Sequence, residues 1–184
     1  MQVDDAVTRS IVPVPFQRLV RWSVIRPESA FLNGFPPKII PELNTFPPEA
    51  FNLRAYVGNN RPSIFVGTTR PRRHPTNGTL SLWQRRAKDP EVHLFEYHIY
   101  AYGGIDVNLV LGQHQHARQH EVVFPGGIRP EMIRCARERK ESRIICNWVN
   151  THFNFLANPH VPPDSEDPGV PRTPANAHCR DYPE

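Results

Sequence analysis

Proline stands at 21 positions of this chain, about twice ordinary usage, and that frequency limits the regular structure the backbone can adopt. Each proline fixes its own φ, removes a backbone donor and steers the preceding residue away from helix. With the turn pairs Gly103-Gly104 and Gly126-Gly127, the prolines leave room for short elements only. The sequence holds no internal repeat, which excludes a solenoid or propeller. Short strands between turns are the expectation.

The punctuation predicts where those elements lie. A strand over residues 16–25 stops at Pro27, and one or two helical turns over 28–33 end at Gly34. Residues 35–48 read as a loop, and a short helix over 48–57 precedes Gly58. Residues 64–66 suit a buried strand. From Gly67 to Pro90 a long loop is expected, broken by Pro71, Pro75 and Asn77-Gly78. Val92, Leu94, Tyr97, Ile99 and Tyr100 give residues 91–102 strand character. Residues 105–111 suit a helix or a further strand, and a polar loop with His114, His116 and His120 follows. A strand restarts over 121–124, Pro125-Gly126-Gly127 turns, 130–139 reads as a short helix and 142–155 as a last strand.

A chain of 184 residues suits one domain, assigned to residues 1–160. Residues 161–184 carry six prolines, five acids and two bases, and read as a surface-draped or disordered tail. Neither a secretory leader nor an apolar run of about 18 residues is present, so a soluble protein is expected, cytoplasmic or secreted. Cys135, Cys146 and Cys179 form no CxxC pair. Reduced thiols are the preferred reading, with one bridge left open.

The net charge of +4 matters less than its distribution. Arg61, Arg70, Arg72, Arg73, Arg85, Arg86 and Lys88 occupy residues 61–88 without one Asp or Glu. Such a stretch attracts phosphates, although a solvated basic loop is the more common meaning of a charge run. The sharpest local feature is Gln119-His120-Glu121, entering a strand after the polar loop. Strand alternation would place Gln119 and Glu121 on one face, where a carboxylate and an amide reach two parts of one ligand. His114, His116 and His120 raise the question of a metal site, but no Asp, Glu or Cys lies among them, and a polar loop surface is the preferred reading.

Several blocks in the same order resemble the ADP-ribosyltransferase toxin superfamily. They are Arg21-Trp22 with Arg26-Pro27-Glu28 and Phe31-Leu32-Asn33-Gly34-Phe35, then Phe65-Val66-Gly67-Thr68-Thr69-Arg70, then Gln119-His120-Glu121. Within it, residues 102–108 and 121–128 resemble the pierisin branch, which modifies guanine in DNA and includes Scabin-like enzymes and ADP-ribosylating proteins of clams.

The resemblance implies an α+β fold of two small, roughly perpendicular antiparallel sheets with NAD in the cleft between them. It implies transfer of ADP-ribose from NAD to the exocyclic amine of guanine in double- or single-stranded DNA. A monomer is expected, and no metal or membrane is required. Glu121 would stabilise the cation that forms on the ribose, and Gln119 would orient the acceptor, with His116 beside the acceptor base. Arg21 or Arg26 would grip the NAD phosphates. Gly67, Thr68, Thr69 and Arg70 would line the NAD pocket, and Trp83 would stack over the ligand or pack in the core. Relatives usually carry a serine where this chain has Gly67, so the hydroxyl expected to orient the glutamate is missing. An ADP-ribosyltransferase acting on a protein side chain, and a catalytically silent NAD or nucleic-acid binding module, are the alternatives.

Overall fold

Leu94–Ile99 is buried along its whole length, as a strand covered on both faces and paired on both edges must be. In the computed structural model, which describes residues 18–39, 48–59, 62–70, 92–140 and 143–154, this strand is β3. The others are β1 (Leu19–Ser23), β2 (Phe65–Thr69), β4 (Ile105–Asp106), β5 (Glu121–Pro125), β6 (Ile133–Lys140) and β7 (Arg143–Val149). Short helices α1 (Pro27–Asn33), α2 (Leu53–Asn59) and α3 (Val107–Leu111) accompany them.

The strands run in the order β4-β5-β2-β1-β3-β6-β7, and every neighbouring pair is antiparallel. β1 and β2 meet at a single registered pair, Val20 with Thr69. One group, β4-β5-β2, is thereby joined to the other, β1-β3-β6-β7, by a narrow seam. The two sheets expected from the sequence are these two groups, linked at one point.

Two apolar clusters form the core, the larger of them spanning both groups. Phe95, Tyr97 and Ile99 of β3 pack with Leu19, Val66, Val122, Phe124, Ile133 and Ala136. Leu53 and Val57 of α2 pack with Phe65, Ile105, Val107 and Val123. Burying each of these large side chains contributes about 1.5–3 kcal/mol, so α2 is held against β2, β4 and β5 by its inner face.

Gly34 ends α1 at φ 68°, and a Cβ there would lie 2.1 Å from the Ile128 carbonyl oxygen. That close approach lets Phe35 and Ile128 exchange backbone hydrogen bonds of 2.8 and 2.9 Å. Phe35 is thereby fixed beneath β1.

Several expectations need correction. The helix expected over 130–139 is a single 3₁₀ turn, Pro130–Met132, followed by β6. Its Ala, Arg, Glu and Lys residues favour helix in isolation, but β3 and β7 both need a partner, and pairing with each overrides the local preference. The loop expected from Gly67 begins later, because β5 pairs with β2 through Thr69. The strand expected over 91–102 narrows to Leu94–Ile99. Residues 105–111 are both alternatives in turn, a two-residue strand and then a helix. Cys135 is buried and outside any disulfide, but Cys146 is disulfide-bonded, so the preference for reduced thiols is corrected. Cys179, residues 40–47, most of the basic stretch and the acidic tail lie outside the described residues.

Candidate active site

Glu121 is the first residue of β5, opposite Thr69 in the ladder with β2. Its side chain points at α2, where the Tyr56 hydroxyl donates to Oε1 over 3.0 Å. Leu53, Tyr56 and Val57 share one face of α2 by helical spacing. The buried Leu53 and Val57 therefore carry Tyr56 inward, and its ring rests against Phe65, 5.7 Å between centroids.

Arg21 reaches the same place from β1. Its Nη1 donates to the Gly67 carbonyl oxygen, and its guanidinium lies over the Phe35 ring, 4.9 Å from the centroid. Burial lowers the Arg21 pKa, opposed by the nearby Tyr56 and Glu121. Arginine still stays charged throughout the physiological range. The Nε of Arg21 is buried with no hydrogen-bond partner among the described residues. Arg26, by contrast, is exposed at the N-cap of α1.

Burial pushes the Glu121 carboxyl above the usual carboxylate range. The Tyr56 hydrogen bond and the charges of His116 and Arg21 pull it back. Burial and the adjacent carboxylate push the Tyr56 phenol far above its ordinary value, so it remains a neutral donor at any working pH.

Gln119 does not sit on the strand with Glu121. It ends a 3₁₀ turn, Ala117–Gln119, and His120 then takes a left-handed conformation, φ 48°. The alternation expected for Gln119 and Glu121 is replaced by a turn, because the ladder begins at Glu121. What links the two is His116, whose Nδ1 lies 3.4 Å from the exposed Gln119 amide nitrogen and whose charge acts on Glu121. Thr69 Oγ1 donates to the Gln119 carbonyl oxygen, tying the turn to β2. Thr68 is buried, donating to the Val122 carbonyl oxygen over 2.8 Å.

A polar network pins the loop that carries these groups. Asn108 Nδ2 donates to the Ala117 carbonyl oxygen and its Oδ1 meets His114 Nε2, both at 2.8 Å. Asp106 caps α3 by accepting from the Asn108 and Leu109 amides at 3.0 and 3.2 Å. It also pairs with Arg70 Nη1 at 2.6 Å, so Arg70 is engaged within the fold. Trp83 lies outside the described residues. Among the described residues no three His, Cys, Asp or Glu side chains group as a metal site.

That capping yields a test. Asn caps as well as Asp, whereas Ala loses about 1 kcal/mol. In chemical denaturation, Asp106→Ala is expected to be about 1 kcal/mol less stable than Asp106→Asn. Equal stabilities would show that the cap contributes nothing.

The family model for Scabin-like proteins matches residues 19–153, from β1 to beyond β7. The chain belongs to the Scabin-like family. Among relatives of this Scabin-like chain, pierisin of Pieris brassicae is 39% identical over 138 residues, 74% of this chain and 16% of pierisin. A guanine-specific ADP-ribosyl transferase of Streptomyces coelicolor is 28% identical over 161 residues, 83% of this chain and 67% of that protein. Scabin toxin from Streptomyces scabies, solved in complex with NADH, superimposes with a TM-score of 0.63 at 28% identity, covering 84% of this chain and 86% of Scabin. The fold is that of the ADP-ribosyltransferase toxins. The chain spans only a small part of pierisin's length.

The sequence offered no sign of Tyr56. The nearest signal is the glycine at position 67, which leaves Glu121 in need of a donor from elsewhere.

Proposed function

We propose that this chain is an NAD-dependent mono-ADP-ribosyltransferase that cleaves the nicotinamide–ribose bond and transfers ADP-ribose to the exocyclic amine of guanine in DNA. The observation that carries this reading is a half-buried carboxylate, Glu121, hydrogen-bonded to Tyr56 and flanked by the Arg21 guanidinium. The similarity to the guanine-specific ADP-ribosyl transferase of Streptomyces coelicolor supports the reaction and the guanine acceptor. The NADH complex of Scabin supports a nicotinamide dinucleotide as the ligand.

Cleavage leaves the bonding electron pair on the nicotinamide nitrogen and develops positive charge on the ribose. A hydrogen bond from the ribose 2-hydroxyl to Glu121 strengthens as that charge grows, so the carboxylate favours the transition state over bound NAD. The guanine amine then forms the new bond to the anomeric carbon and loses a proton to Glu121 or to water. Gln119 offers a donor and an acceptor on one exposed amide, which suits a guanine edge. His116, beside it, completes the acceptor side.

Arg21 is assigned to the pyrophosphate, because its guanidinium lies beside Glu121, gives Nη1 to the Gly67 carbonyl oxygen and carries further N–H donors in the fork that suits a phosphate. The exposed Arg26 lies apart from this cluster. Thr68 and Thr69 act through backbone contacts that hold β5 and the Gln119 turn.

Nucleosides recovered after incubating the protein with NAD and duplex DNA, analysed by mass spectrometry, test the reading. An ADP-ribose-derived adduct on deoxyguanosine alone is expected. Nicotinamide release without an adduct would retain the transferase and remove the DNA acceptor. No release would remove both.

A further inference from the structure

Glu121 can do its work only if its carboxylate is held in one place, and no hydroxyl on β2 holds it. Gly67 stands diagonally across the ladder from Glu121, and a side chain there has no room. A Cβ on Gly67 would lie 2.3 Å from Glu121 Oε1 and 2.7 Å from the Tyr56 hydroxyl. The space the glycine leaves is filled from the facing helix, by a phenol whose oxygen is 3.0 Å from Oε1. The phenol is itself held on two sides. Its ring rests on Phe65, and its helix is anchored by Leu53 and Val57.

We propose that Tyr56 is the positioning residue for Glu121, and that Gly67 and Tyr56 form one unit in which the glycine makes room for a hydroxyl delivered by α2. The inference rests on the role assigned above to Glu121. The phenol donates to one carboxylate oxygen and leaves the other for the ribose hydroxyl. Because the phenol does not ionise in the working range, the donation persists at every pH at which Glu121 is charged.

Tyr56→Phe keeps the ring and removes only the donor. A hydrogen bond to a charged group is worth roughly 10- to 100-fold in an equilibrium or rate, and kcat for nicotinamide release is expected to fall by that order. KM for NAD should change little. The carboxylate, having lost a donor that favours its charged form, should protonate more readily, so the acid limb of the pH–rate profile moves to higher pH. A variant that merely loosened the fold would lower activity without moving that limb. Gly67→Ser alone should lose turnover through collision with the carboxylate and phenol. In the Tyr56→Phe background the phenol oxygen is gone but the closer contact with Glu121 Oε1 remains, so adding Gly67→Ser should not restore the turnover that Tyr56→Phe loses.

Tyr56→Phe with the kcat and acid limb of the parent protein would overturn the proposal while leaving the transferase reading intact. If the parent protein released no nicotinamide, the reading would fail, and the pair would still be tested by carbon-13 NMR of the Glu121 carboxyl, assigned with Glu121→Gln. An upward move of its titration midpoint in Tyr56→Phe supports the positioning contact. An unmoved midpoint overturns it, whatever becomes of Gly67→Ser.

Discussion

Turnover of NAD in Glu121→Gln is expected to fall by about two to three orders of magnitude, the usual loss when a preorganised electrostatic group is removed from a transition state. The dissociation constant for NAD should stay within a few-fold, because the amide keeps the carboxylate's shape but cannot meet a growing positive charge. Nicotinamide release and direct NAD titration measure the two quantities separately. Stability gives an internal control. Burial disfavours the ionised carboxyl, so a neutral isostere removes a desolvation cost rather than a stabilising contact. The melting temperature of Glu121→Gln should equal or exceed that of the parent. A large kinetic loss without a loss of stability would separate chemistry from folding. Parent-like turnover would remove Glu121 from the mechanism.

The largest effect on stability is expected at Tyr97. Its side chain is fully buried at the centre of β3. It stands edge-on to Phe35 at 4.9 Å and to Phe31 at 6.4 Å, with Phe95 tilted against it at 6.4 Å. Its hydroxyl donates to the Ile25 carbonyl oxygen. Tyr97→Ala should cost about 3–5 kcal/mol, the range for emptying a buried aromatic site, which is a large part of the stability of an ordinary domain. Tyr97→Phe should cost about 1 kcal/mol, because only the hydrogen bond is lost. Urea denaturation of the two variants would measure both. A cost below 1 kcal/mol for the alanine would mean that the aromatic cluster is not the support it is described to be.

The same residue connects the core to the site. Tyr97 supports Phe35, and Phe35 lies under the Arg21 guanidinium. Small errors in core packing are therefore passed to the group assigned to the NAD phosphates. Interiors at this density leave little room for a ring to settle elsewhere.

Local signals in the sequence served well where the physics is local. Pro27 and Gly34 bound α1 close to the expected limits, because proline's fixed φ and glycine's access to positive φ act on the local backbone. Local signals failed at 130–139, where helix-forming residues are drawn into β6 by two neighbouring strands. They also failed between Gln119 and Glu121, where strand alternation was expected across a left-handed residue, His120. The resemblance led to Glu121 and to Arg21, Gly67 and His116 around it, but not to Tyr56, its hydrogen-bond partner.

Read alone, the sequence determined short elements between turns, the ADP-ribosyltransferase resemblance and the position of the candidate glutamate, since proline, glycine and a compact motif act over a few residues. Only the tertiary structure decided which of two arginines lies near that glutamate and which side chain stands in for the absent hydroxyl. Arg21 and Gly67 are separated by 46 residues, and Tyr56 and Glu121 by 65. Contacts at such separations depend on which strands become neighbours and which face of a helix the core selects. No pattern of adjacent residues encodes them.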